Sequence, residues 1–134
     1  MTTVFADTFY FIALVSPDDE AHAQAVDYAR LVDRIVTTEW VLTEFADGLA
    51  TTPNRHLLGE IRSALLADDS AHIVVWETGL YQRGIDLYLN RPDKTWSLTD
   101  CLTFIVMQDH NLADALTGDH HFEQAGFRIL LGQK

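Results

Sequence analysis

The stretch VFADTFYFIALV, residues 4–15, decides how the rest of the chain is read. Residues 3–6 read as a short strand that ends at Asp7. Residues 8–15 are apolar and aromatic and read as a helix that follows at once. One carboxylate therefore stands at a strand-to-helix junction inside an otherwise apolar run. The run is too short to span a bilayer, so no membrane contact is expected.

The same alternation continues along the chain. Ser16-Pro17-Asp18 is a helix-start signal, and residues 18–32 place Ala21, Ala25, Tyr28, Ala29 and Val32 on one face. Residues 34–38 (RIVTT) are a β-branched strand. Residues 39–49 return to helix, closed by Gly48 and Pro53. Residues 54–67 form an amphipathic helix through Leu57, Leu58, Ile61 and Leu65. Residues 72–76 (HIVVW) read as a third strand, and 77–89 as a helix with Leu80, Ile85 and Tyr88 inward. A helix over 97–108, a short strand over 114–117, a small helix over 120–125 stopped by Gly126 and a last strand over 127–131 complete the pattern. Strands alternating with helices imply parallel pairing, right-handed crossovers and helices on both faces. The expected fold is α/β, a three-layer α/β/α sandwich with a central parallel sheet of four or five strands. In such folds ligands bind outside the carboxyl ends of the strands.

The 134 residues predict a single domain over 1–134, and 48% apolar residues can supply its core. No basic segment precedes the first strand, so no signal peptide is expected. The lone Cys101 can form neither an intrachain disulfide nor a cysteine cluster, which fits a cytoplasmic protein. The formal charge of −11 argues against a general polyanion binder, because phosphate contacts need Lys or Arg.

Four carboxylates are singled out. Asp7 follows the first strand, and Asp119, in ALTGDHHF, follows the fourth, so both open at the same edge of the sheet. Each could equally be a helix N-cap. Glu44, in TTEWVLTEFADGL, falls inside the stripe of Val41, Phe45 and Leu49, where an unpaired carboxylate needs a proton or a cation. The other reading is a partly exposed Glu at the stripe's edge. Asp47 is the weaker candidate, read as solvated. Asp100, in WSLTDCLTF, lies three residues after Ser97, the spacing of a capping box, although Asp reaches back less well than Glu. Its neighbours Leu98, Cys101, Leu102 and Ile105 leave it little polar face. Four carboxylates at one sheet edge repel one another unless a hard divalent cation relieves them.

With these stretches in view, the sequence resembles the PIN-domain nucleases, and most closely the VapC-type toxins of prokaryotic toxin–antitoxin pairs. SLTDC and LTGDHHFEQAGF are the more specific stretches. The resemblance implies a Mg²⁺-dependent endoribonuclease, with Mn²⁺ an alternative, whose metal is held by Asp7, Glu44, Asp100 and Asp119. It implies flanking hydroxyls at Ser97 and Thr117, an RNA substrate, a cognate antitoxin protein and a homodimer. His120 and His121 read as structural or surface residues. A housekeeping RNA-processing nuclease and a catalytically silent RNA- or protein-binding domain of the same fold remain alternatives. A phospho-acceptor signalling domain fits poorly, because the first strand ends in one Asp and the only lysines are Lys94 and Lys134.

The acidic balance makes any RNA contact local. Arg55 and Arg62 share a helical face, while Arg91 and Lys94 lie on the loop into Trp96, which would set cations and a stacking surface beside the metal. Pairing with surface acids is the competing expectation for Arg62 and Arg91. The aromatic start, Phe5, Phe9, Tyr10 and Phe11, is expected in the core or at a dimer or antitoxin interface.

Overall fold

The computed structural model describes residues 2–132. The single-domain expectation over 1–134 includes Met1, Gln133 and Lys134, which lie outside the described residues. Strands β1 (Thr3–Ala6), β2 (Arg34–Thr38), β3 (Ala71–Val74), β4 (Asp114–Leu116) and β5 (Arg128–Ile129) form one sheet in the order β3-β2-β1-β4-β5. Every pairing is parallel. The central strand β1 is buried at Val4, Phe5 and Ala6, as a strand covered on both faces requires.

The helices are α1 (Thr8–Val15), α2 (His22–Leu31), α3 (Glu39–Leu49), α4 (His56–Ala67), α5 (Thr78–Asn90), α6 (Leu98–Asp109) and α7 (His120–Gln124). They pack as two groups. One is α1 with α2 and α3, and α3 with α4; the other is α5 with α6, and α6 with α7. Right-handed crossovers account for this, because β1→β2→β3 runs one way along the sheet and β3→β4 runs back across it. The core is aromatic, with Phe5, Phe11, Phe45, Phe104 and Phe122 all fully buried. Phe104 meets Phe122 edge to face with ring centroids 5.2 Å apart. Each such ring contributes about 1.5–3 kcal/mol by leaving water.

Helix α6 is buried from Cys101 through Met107, so its apolar character runs round the whole helix. Helix α4 lies at the rim instead: Leu57, Leu58, Ile61 and Leu65 are only half-buried, and Leu66 is exposed.

Four expectations change. Strand β5 spans only Arg128–Ile129 of the expected 127–131. Helix α2 starts at His22, because the Asp19 carboxylate accepts the Ala21 N–H at 2.9 Å and holds a turn where helix was expected. Strand β3 begins at Ala71 and ends at Val74; the Trp76 N–H donates to Glu39 Oε1 at 2.6 Å, leading the chain off the sheet. Tyr88 is 48% exposed instead of inward. Gly84 sets the phase of α5: a Cβ there would lie 2.3 Å from Leu102 Cδ2, so α5 meets α6 along the Leu80–Gly84–Leu87 line.

Candidate metal centre

Sheet order locates the centre. Connections leave β1 toward β2 on one side and reach β4 on the other, so the carboxyl ends of β1 and β4 flank the switch point of the sheet. Asp7 is the first residue after β1, and Asp119 lies just beyond β4.

Asp7 is buried. Its N–H extends the ladder by donating to the Leu116 carbonyl at 3.3 Å. It occupies the N-cap position of α1, yet its side chain does not cap the helix. Instead Thr117 Oγ1 donates to Asp7 Oδ2 at 2.8 Å. Burial pushes the Asp7 carboxyl up to about 7, hydrogen bonding to Thr117 and the Thr8 backbone pulls it down, and the charges of Glu44 and Asp100 raise it. The fully buried Thr117 hydroxyl also accepts the Asp119 N–H at 3.1 Å, so one side chain ties the ends of β1 and β4 together. Phe9 packs closely over Gly118 between them, where an added Cβ would lie 2.6 Å from Phe9 Cζ.

Asp100 serves two purposes. Its N–H donates to Ser97 Oγ at 3.0 Å and its Oδ2 accepts the Ser97 N–H at 3.1 Å, a complete capping box despite the short side chain. The same Oδ2 lies 3.0 Å from His121 Nδ1. A carboxylate only accepts, so the imidazole Nδ1–H donates to it, and Nε2 accepts from Thr95 Oγ1 at 3.1 Å. Burial raises the Asp100 pKa, the Ser97 N–H lowers it, the Asp119 charge raises it and His121 lowers it. Asp119 caps α7, with Oδ1 accepting the His121 N–H at 2.9 Å.

Glu44 is exposed, which decides between its two readings in favour of the stripe's edge. The helix places it at the edge of that stripe, where Thr8 Oγ1 donates to its Oε1. That bond joins α3 to the start of α1 beside Asp7. The structure thus brings Asp100 and Asp119 into one group, sets Asp7 against both Glu44 and Asp100, and leaves Glu44 on the solvent side.

His121, a structural or surface residue by its sequence, stands within the acidic group and bonds Asp100 there. Asp100, Asp119 and His121 offer ligand atoms within 4.8 Å of one another. Its place two residues after Asp119 was the available signal. His120 turns outward and bonds Glu123.

The loop before α6 does not present a stacking surface. Trp96 is 7% exposed, its indole N–H donates to Gln124 Oε1 at 3.0 Å, and Arg91 and Lys94 lie over its ring at 5.1 and 5.8 Å. Arg91 is paired with Asp93 through two bonds of 2.9 Å. Arg55 donates to the Ala50 carbonyl at 3.2 Å, and Arg62 has no acid partner among the described residues.

The donor set suits a hard divalent cation. Carboxylate oxygens are the preferred ligands of Mg²⁺ and Mn²⁺. A buried acid whose proton is held up to about pH 7 beside two further carboxylates gains most from a cation.

The model of the family described as PIN domain matches residues 4–128, and the chain belongs to that family. Among solved structures, 96% of the chain superposes on 99% of VapC20 of Mycobacterium tuberculosis, described as a sarcin-ricin loop cleaving toxin, with a TM-score of 0.83 and 21% identity. VapBC2 of Rickettsia felis, bound to a DNA fragment from their promoter, is similar over 96% of this chain and 97% of that one (TM-score 0.66, 11% identity). FitAcB of Neisseria gonorrhoeae is similar over 95% and 96% (TM-score 0.66, 14% identity). At these identities the likeness is one of fold. No curated protein gives a significant sequence match.

Proposed function

We propose that the chain is a metal-dependent endoribonuclease that hydrolyses RNA phosphodiester bonds, and that it is the toxin of a toxin–antitoxin pair. The observation that carries the nuclease assignment is the buried Asp7, its carboxyl pushed up to about 7, facing Glu44 and Asp100 at the switch point of a PIN-family sheet. Asp7, Glu44, Asp100 and Asp119 would hold Mg²⁺, with Mn²⁺ as the alternative. A bound divalent ion there supplies an activated water and stabilises the charge that develops on the phosphate.

The chain's own residues prepare this site. Thr117 orients Asp7, and His121 orients Asp100 while Ser97 holds the end of its helix. Fixing ligands through such outer bonds is worth about 10–100-fold in metal affinity or activity. The toxin assignment is supported by the fold shared with VapC20, VapBC2 and FitAcB. A cognate antitoxin would cover the acidic groove with a basic segment. The half-exposed Phe9 and Ile12 on α1 offer an apolar surface for a homodimer. The buried free thiol of Cys101 suits the reducing cytoplasm.

The test is digestion of single-stranded RNA by the purified chain in Mg²⁺, in Mn²⁺ and in EDTA, alongside Asp100→Asn. Cleavage is expected in the metals and lost in EDTA and in the variant, whose circular dichroism matches wild type. Wild-type rates in EDTA would refute the assignment. Growth arrest on expression, absent for Asp100→Asn and relieved by the product of a neighbouring gene, separates a toxin from a housekeeping nuclease.

A further inference from the structure

A cleft of about 520 Å³ runs along α3 beside the carboxylate group. Trp40, Thr43, Glu44 and Asp47 line it at positions i, i+3, i+4 and i+7, so they share one helical face. Thr99, the neighbour of Asp100 in the chain, and Trp76 complete the lining. Trp76 is 53% exposed, yet it is held in place. Its N–H donates to Glu39 Oε1, and its ring packs on Tyr81 with centroids 4.3 Å apart. The Trp40 indole N–H is buried with no partner among the described residues. The charged groups lining the cleft are the carboxylates of Glu39, Glu44 and Asp47.

This lining rejects phosphate and accepts N–H donors. A flat ring with a donor-rich edge satisfies both the aromatic wall and the acids. On the ribonuclease assignment above, which this inference deepens, we infer that the cleft is a subsite for one unstacked nucleobase next to the cleaved phosphodiester. The base stacks on Trp76, and the Asp47 carboxylate reads its Watson–Crick edge. Glu44 stays with the metal centre, and Glu39 positions Trp76. Guanine presents N1–H and N2–H side by side to one carboxylate. Uracil presents a single N3–H between two carbonyls, which the acids repel. The subsite therefore prefers guanine over uracil.

The experiment uses short single-stranded RNAs that differ at one base beside the cleaved bond. They are digested in Mg²⁺ by wild type, Trp76→Ala, Trp76→Phe and Asp47→Asn. Wild type should favour guanine over uracil by about five- to a hundredfold in kcat/KM, the discrimination of one good bidentate contact. Trp76→Ala should raise KM by a similar factor, the range of base–aromatic stacking, with kcat little changed and Trp76→Phe restoring most of the loss. Asp47→Asn should erase the guanine preference. In a separate arm, guanosine is titrated in EDTA and should quench the tryptophan fluorescence of wild type and not of Trp76→Ala. If no RNA is cut but guanosine still quenches, the subsite stands and the ribonuclease assignment falls. If both Ala and Asn variants cut every RNA as wild type does, the subsite falls and the nuclease stands. Saturation by an arginine-containing peptide without guanosine binding overturns the proposal in favour of a protein partner.

Discussion

Replacing Asp7 by Asn should make the metal-free protein more stable at alkaline pH. Burial lifts the Asp7 carboxyl from 3.8 to about 7, so the folded chain holds its proton more tightly than the unfolded chain does. The stability this supplies is fully present below about 3.8 and is lost as pH rises through about 7. Each pH unit of that interval is worth about 1.4 kcal/mol, or about 4 kcal/mol in all. About 3 kcal/mol of it falls between pH 5 and 8, against a total stability of about 5–15 kcal/mol for an ordinary domain. Asn keeps the shape, can accept the Thr117 hydroxyl and cannot ionise. Urea unfolding followed by circular dichroism in EDTA should therefore show the wild-type midpoint falling by about 1–2 M from pH 5 to pH 8. The Asp7→Asn midpoint should fall less, retaining the contribution of Asp100, and lie above wild type at pH 8. Millimolar Mg²⁺ at pH 8 should raise the wild-type midpoint and leave the variant unmoved. Parallel pH curves for the two proteins would refute the reasoning.

Three other perturbations test the supporting structure. His121→Ala removes the Nδ1–H that Asp100 accepts and should weaken Mn²⁺-supported cleavage by about 10–100-fold in a metal titration; an unchanged titration would leave His121 a surface residue. Gly84→Ala sets a Cβ 2.3 Å from Leu102 Cδ2 and 2.8 Å from its Cγ, and should destabilise by about 1–3 kcal/mol in thermal unfolding. Ser97→Ala breaks the capping box of α6 and should cost about 1 kcal/mol, measured in urea.

Most of the fold was legible because its signals are local. The β-branched run RIVTT and the stripe of Val41, Phe45 and Leu49 each announce their period within a few residues. Misplaced boundaries have local causes too, but ones hidden in side-chain choices: Asp19 bonds its own turn, and Glu39 draws Trp76 out of β3. Of the four acids, Asp7 and Asp119 could be placed at one sheet edge from strand order alone. Glu44 could not be placed in depth, because its exposure depends on how closely α1 and α4 pack on α3.

Local sequence is enough for the alternation of strands and helices, the parallel sheet that follows, and the capping box that Ser97 and Asp100 complete. All three follow from periods and hydrogen bonds spanning a few residues. Tertiary packing alone sets the contact of Asp100 with His121, the cover of Arg91 and Lys94 over Trp96, and the half-exposure of Trp76 at a cleft it shares with Asp47. Those outcomes depend on which surfaces the crossovers press together, and no spacing along a single element records that.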